Sequence, residues 1–141
     1  MKITKKIILL GHFGVGKTSL IRRFVEDSFS DKYIVSIGVH ILKKEVVLDD
    51  TQKISLIIWD LEGHENMKKI REAYLLGSHG FIYVFDITRP ATFENLKRDV
   101  KYIKEKFPST TIKVVGNKTD LVTKTFLKEN IDSFGVNPNY F

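Results

Sequence analysis

No other stretch constrains this chain as much as Gly11-His12-Phe13-Gly14-Val15-Gly16-Lys17-Thr18, which fits the pattern G-x-x-x-x-G-K-[ST]. The short apolar run Lys6 to Leu10 precedes it, and Leu20, Ile21, Phe24 and Val25 follow at helical spacing over Gly16 to Glu26. A strand must therefore run into glycines and leave them as a helix. The glycines let the main chain curl until successive N–H groups converge on a phosphate at the positive end of that helix. On this reading Gly11, Gly14, Val15, Gly16 and Ser19 line the phosphate site. Lys17 neutralises charge between the β- and γ-phosphates, and the Thr18 hydroxyl is a ligand for Mg²⁺. The strand–loop–helix context argues against an ordinary glycine turn and points to a nucleoside triphosphate, without naming the base.

Strands and helices alternate along the rest of the chain. Val39 to Leu48 and Ile54 to Asp60 are β-rich runs, and Asp49-Asp50-Thr51-Gln52 between them is turn chemistry, which predicts an antiparallel hairpin. Phe81 to Phe85 is apolar throughout, the mark of a parallel strand covered on both faces. Phe93, Leu96, Val100, Ile103 and Phe107 predict a helix that stops at Pro108. Thr111 to Gly116 is a further strand, and Phe126, Leu127, Ile131 and Phe134 predict a last helix closed by Gly135. The expected fold is α/β in three layers, a mostly parallel sheet with one antiparallel strand and helices on both faces. Such sheets bind ligands beyond the carboxyl ends of their strands.

Asn117-Lys118-Thr119-Asp120 stands at one of those ends. The Asp120 carboxylate can accept hydrogen bonds from guanine N1–H and the exocyclic amine, a donor pair that adenine lacks. The Lys118 stem can lie along the purine plane with its ammonium in water. Alone the tetrapeptide is a weak signal and reads as a polar loop; paired with the phosphate loop it predicts GTP or GDP. Trp59-Asp60-Leu61-Glu62-Gly63 supplies a third element. Asp60 closes a strand, where a carboxylate can hold a magnesium-bound water, or cap a helix beginning near Glu65. Gly63 leaves its N–H open to the γ-phosphate.

At 141 residues with 43% hydrophobic and 28% charged side chains, the chain has the size and composition of a single domain with a real core, and one domain over 1–141 is expected. No apolar run approaches the roughly 20 residues of a membrane span. The apolar part after Lys6 is too short for a secretory signal. A net charge of +6 raises nucleic-acid and membrane readings. The charges are scattered, however, and Lys97, Arg98, Lys101, Lys104 and Lys106 share their helix with Asp99 and Glu105, as a solvated face would. No nucleic-acid partner is expected. The absence of cysteine fits a reducing compartment and removes any prenyl or palmitoyl anchor within these residues.

Together these stretches resemble the Ras superfamily of small GTPases, with the Rab-like and Ras-like branches nearest. The resemblance takes in Tyr33 to Gly38, similar to the family's first switch, and Asp86-Ile87-Thr88 running into Thr92 to Leu96, similar to its fourth strand and third helix. It implies a P-loop NTPase G domain with a six-stranded sheet and two nucleotide-sensitive switches, Tyr33 to Gly38 and Leu61 to Lys69. It further implies Phe29 packed on the guanine and Ser36 joining Mg²⁺ in the triphosphate state; read without it, Phe29 is a core aromatic and Ser36 a loop hydroxyl. The implied activity is hydrolysis of GTP to GDP and phosphate. The implied partners are an effector, an exchange factor and a GTPase-activating protein reading the switches of a monomer, in the cytoplasm or at a membrane through a partner.

Three departures from the family follow. Where it has a glutamine that orients the attacking water, this chain has His64, a residue type that does the job in translation-factor GTPases. Where Ras has glycine, Phe13 stands near the γ-phosphate or packs on the switches. Both predict slow hydrolysis without an activator, and they leave a non-hydrolysing GTP-binding interaction module as the rival reading. A P-loop ATPase or kinase with a chance Asn-Lys-Thr-Asp is a second rival. The family's last loop and helix would lie beyond Phe141, so the sequence is read as an apparently truncated domain, either a fragment or a naturally short product; genuine truncation would remove backbone contacts to the guanine and leave phosphate binding less affected.

Overall fold

The computed structural model describes residues 2–25, 32–36, 38–62 and 67–141. The expectations placed on Glu26, Phe29, Ile37, Gly63, His64 and Glu65 lie outside the described residues, and so does the Ser36 side chain. In chain order the elements are β1 (Lys2–Gly11), α1 (Lys17–Val25), β2 (Lys32–Ser36), β3 (Val39–Val47), β4 (Lys53–Leu61), α2 (Glu72–Leu75), β5 (Gly80–Asp86), α3 (Leu96–Lys106), β6 (Thr111–Asn117) and α4 (Lys124–Asn130), with short 3₁₀ turns between several of them.

One six-stranded sheet runs in the order β2-β3-β4-β1-β5-β6. Strand β3 is antiparallel to both of its neighbours, and every other pairing is parallel. The predicted hairpin is present, and Asp49 closes its turn by accepting hydrogen bonds from the Thr51 and Gln52 amides at 2.8 and 2.9 Å. Strand β2 falls within the stretch read as a switch loop, and it supplies the sixth strand by adding to the outer side of β3.

Strand alternation sorts the apolar residues onto two faces. Ile8, Leu10, Phe81, Tyr83, Phe85, Ile112 and Val114 face Leu96, Val100 and Ile103 of α3, together with Phe134. Ile7, Leu9, Ile82, Val84 and Val115 face the other way, with Ile21 and Val25 of α1. Because the inner parallel strands are covered on both sides, they read as unbroken apolar runs.

Three boundaries differ from expectation, one of them in the last helix: α4 ends at Asn130, and Ile131–Phe134 before Gly135 form a 3₁₀ turn. Strand β1 begins at Lys2, because Lys2 to Lys5 pair with Lys53 to Leu56 of β4 in continuous register. The ladder extends the strand past its apolar run. Helix α3 begins only at Leu96: Pro90–Thr92 form a 3₁₀ turn that leaves Phe93 outside the helix, its ring 5.3 Å from that of Phe85. One charge is also misplaced by the sequence reading. Asp99 is 2% exposed and accepts a hydrogen bond from the Tyr83 hydroxyl at 3.0 Å, so it belongs to the core rather than to a solvated face.

Candidate functional site

The carboxyl ends of β1, β4, β5 and β6 lie side by side at one end of the sheet, as the register of Leu9 with Asp60, Gly11 with Val84 and Asp86 with Asn117 shows. Every sequence motif singled out above leaves the sheet there. Between β1 and α1, residues 12–16 form a loop and Leu20 N–H donates to Gly16 O at 3.0 Å, which seats the loop on the first turn of α1. Gly16 has φ +89°, and a Cβ on it would lie 2.3 Å from Asn117 Nδ2. That position needs glycine twice over, for its backbone and for the approach of Asn117.

His12, Phe13, Gly14, Val15, Gly16, Lys17, Thr18, Ser19 and Glu62 line a cleft of about 280 Å³ over this loop. A second cleft of about 390 Å³ shares Gly16 and Ser19 with the first and extends to Asn117, Arg22 and Arg23. The shape suits an elongated ligand whose anionic part lies on the α1 amino end. Phe13 is 82% exposed, so its ring has not folded away against the described residues.

Inside the first cleft Lys17 and Thr18 already have partners. Lys17 is 4% exposed; its Nζ lies 2.5 Å from Asp60 Oδ1 and donates to Leu61 O at 2.8 Å. The Thr18 hydroxyl donates to Glu62 Oε1 at 2.7 Å. Asp60 thus neutralises the loop lysine across 43 residues of sequence, whereas the alternative reading of Asp60 as a cap near Glu65 falls on residues outside the described ones. A buried ion pair of this kind holds geometry more than it adds stability, but loss of one partner leaves a costly lone charge.

The Asn117–Asp120 tetrapeptide is joined to the glycine loop. Asn117 Nδ2 donates to Val15 O at 2.8 Å and Lys118 Nζ to Gly14 O at 3.1 Å. Lys118 also pairs with Asp86 Oδ2 at 2.7 Å, so its half-exposed side chain has protein partners for its ammonium. Lys118 adopts φ +68°, the only described non-glycine residue in the left-handed region, and this bend turns β6 into the 3₁₀ turn Thr119–Leu121. Backbone strain of this size is held only where the surroundings fix it. Burial alone would push the Asp86 carboxyl up; Lys118 and two hydrogen bonds from Thr88 outweigh that and hold it below its usual range. Asp120 is exposed at the start of the loop, outside the lining of both clefts.

Three contributors were not singled out as site residues from the sequence. Glu62 lines the cleft, and period-two alternation from Asp60 was signal enough to put it there. Asp86 anchors Lys118. Arg89 donates from Nη1 to Phe13 O at 3.2 Å and braces the loop from the β5 side, a contact no sequence spacing announces.

The donor set at this end, a threonine hydroxyl beside two carboxylates, suits a hard divalent cation such as Mg²⁺. A model of the Ras family matches residues 6–133, a span that holds the phosphate loop, Asp60 to Glu62 and Asn117 to Asp120. With all three at one sheet end, the chain belongs to the Ras family and carries that family's guanine-nucleotide-binding switch domain.

Proposed function

We propose that this protein hydrolyses GTP to GDP and phosphate, slowly when unaided, and that its bound nucleotide controls Tyr33 to Gly38 and Leu61 to Lys69. The observation that carries the reading is the physical union of the two ligand-reading loops. Asn117 and Lys118 hydrogen-bond the backbone of Val15 and Gly14, so base and phosphate contacts are set in one frame.

In this reading the loop amides of Gly14 to Ser19 receive the phosphates at the α1 amino end, and Lys17 moves from Asp60 to the β- and γ-phosphate oxygens. Thr18, with Ser36, holds Mg²⁺, and Asp60 holds its water; the ion supplies neutralisation of phosphate charge. Asp120 accepts from the guanine N–H groups, and Phe29 packs against the ring. His64 orients the attacking water, and the Gly63 N–H meets the γ-phosphate. Water attacks the γ-phosphorus, the bond to the β–γ bridging oxygen breaks, and the water proton ends on phosphate. Positioning and charge stabilisation drive the reaction, with no covalent intermediate on the protein. Loss of the γ-phosphate releases Tyr33 to Gly38 and Leu61 to Lys69, the surfaces that an effector, an exchange factor and an activating protein would read. A monomer in the cytoplasm, or held at a membrane by a partner, fits this role.

The exposed Phe13 favours one alternative. Its ring stands at the mouth of the phosphate cleft, where an activator's arginine would enter, which suits a module that binds GTP and recruits partners without turning it over. Chromatography of the nucleotide that co-purifies with the protein decides the matter. GDP supports hydrolysis, intact GTP supports the binding module, and an adenine nucleotide removes both. A single-turnover rate well above those of unaided small GTPases, unchanged by Phe13→Gly and by His64→Ala, would refute the slow-hydrolysis reading.

A further inference from the structure

Strands β3 and β4 bring three metal-ligating side chains to the α1 side of the sheet. Asp60 and Glu62 are two residues apart, so alternation gives them the same face, and His40 is the direct cross-strand partner of Asp60. The Glu62 amide continues the ladder by donating to Gly38 O at 2.8 Å, which holds its side chain beside the other two. One ligand atom from each of His40, Asp60 and Glu62 lies within 4.8 Å of the others. Three atoms no more than 4.8 Å apart always leave some point within about 2.8 Å of all of them. Metal binding would require rotation of the half-buried His40 and Glu62 side chains to reach the roughly 2.0–2.2 Å of zinc–nitrogen and zinc–oxygen bonds.

The donor set is one imidazole and two carboxylates. Mg²⁺ takes oxygen ligands and keeps its waters, whereas an imidazole moves preference toward first-row transition metals. We propose that His40, Asp60 and Glu62 bind a divalent transition metal, of the Zn²⁺ or Mn²⁺ kind, without any nucleotide present, and that this occupancy frees Lys17 and Thr18. The second half rests on the phosphate-loop reading above. Asp60 and Glu62 are the acids that now hold the Lys17 ammonium and the Thr18 hydroxyl. A dication on both carboxylates cancels their charge. Lys17 then keeps only the Leu61 carbonyl as a protein partner, and its positive charge is available to an incoming phosphate.

The test uses the full chain stripped of nucleotide and titrated separately with Zn²⁺, Mn²⁺ and Mg²⁺ by calorimetry. Trp59, the sole tryptophan and the neighbour of Asp60, serves as a fluorescence reporter. The expected result is one Zn²⁺ per chain, bound at least 100-fold more tightly than Mg²⁺. His40→Ala and His40→Gln should each weaken Zn²⁺ at least tenfold and leave Mg²⁺ unchanged, with circular dichroism confirming that at least one of them is folded. Glu62→Gln should weaken Zn²⁺ comparably, while His12→Ala and His79→Ala should not. Absence of Zn²⁺ binding to the unmodified chain, Zn²⁺ no tighter than Mg²⁺, or Zn²⁺ binding indifferent to both His40 variants overturns the site. A guanine nucleotide titration on the same samples separates the two readings, because its failure with the metal result intact removes the GTPase proposal alone.

Discussion

Lys17 and Asp120 stand at the two ends of the candidate site and are held in opposite ways. Lys17 is 4% exposed and tied to Asp60 and to the Leu61 carbonyl. Asp120 is exposed and has no side-chain hydrogen bond or ion pair with a described residue. Binding at the phosphate end therefore exchanges one partner for another, and the same groups that would meet the ligand hold the fold together. At the other end, bracing and the proposed recognition are divided among neighbours: Asn117 and Lys118 brace the loop, and Asp120 stays unpaired among the described residues for the base contact proposed above. Substitutions at the first end should disturb fold and binding together, whereas at the second end the two should separate.

The largest effect should come from Lys17→Ala. It leaves the Asp60 carboxylate, 2% exposed, without its cation, and loss of one member of a buried pair costs about 3–5 kcal/mol. Denaturant unfolding of the nucleotide-free chain should show that loss, and nucleotide titration should show no binding. Adding Asp60→Asn to Lys17→Ala should recover more than half of the stability and none of the binding. If Lys17→Ala unfolds at the wild-type midpoint, the coupling drawn here between fold and phosphate site is wrong.

Asp120→Asn is the opposite case. The guanine N–H groups lose a charged acceptor, worth about 1.5–3 kcal/mol per hydrogen bond, so affinity for GDP should fall about 100-fold and move toward xanthosine nucleotides. Unfolding should stay within about 0.5 kcal/mol of wild type, as for an exposed residue with no structural partner. A large stability loss would erase the contrast between the two ends, and an unchanged base preference would favour an adenine-nucleotide enzyme.

Gly16→Ala tests the joint between the ends. Its Cβ would sit 2.3 Å from Asn117 Nδ2 at φ +89°, so the Asn117–Val15 hydrogen bond must break or the loop must move. Left-handed strain and the lost bond together cost about 2 kcal/mol. Both phosphate and base affinity should drop, measured with inorganic pyrophosphate and GDP in parallel. A drop in one alone would show that the two loops are not one frame.

Most of the fold was legible because its signals are local. Apolar runs bounded by glycines marked β1, β5 and β6, and Asp49 announced its turn through side-chain chemistry. The phosphate loop and the tetrapeptide were legible because phosphate and guanine dictate residue types at fixed spacing. The missed features depend on tertiary approach. Lys2 to Lys5 became strand only because β4 offered a ladder. Asp99 left the charged face of α3 because the Tyr83 hydroxyl, 16 residues away, met it in the core. Lys118 has the hydrocarbon stem expected of a purine shelf, but Asp86 and Gly14 claim its ammonium, and neither partner is marked by spacing.

The smallest effect separates Asp86 at the site from Asp99 in the core by the sign of their pH dependence. Asp86 has a carboxyl held below its ordinary value, since the bonds from Lys118 and Thr88 outweigh the upward push of burial. Its stabilisation is present above the unfolded carboxylate value of about 3.9 and is lost as pH falls through the lower folded value. Asp99 shifts the other way: burial raises it, further than the Tyr83 hydroxyl and Arg98 pull it down. Its contribution is most favourable below about pH 3.9 and is lost as pH rises through the raised folded value. Thermal unfolding followed from about pH 3 to pH 7 should therefore respond to the two sites in opposite senses. Asp99→Asn, which keeps an acceptor for Tyr83, should remove the loss of stability that Asp99 causes on the rising side. Lys118→Met should flatten the low-pH limb by a smaller amount, because the Lys118 side chain is 32% exposed and solvent screens its charge. If both variants flatten the same limb, the site and the core share one electrostatic environment, and the division between a ligand-ready end and a structural interior fails.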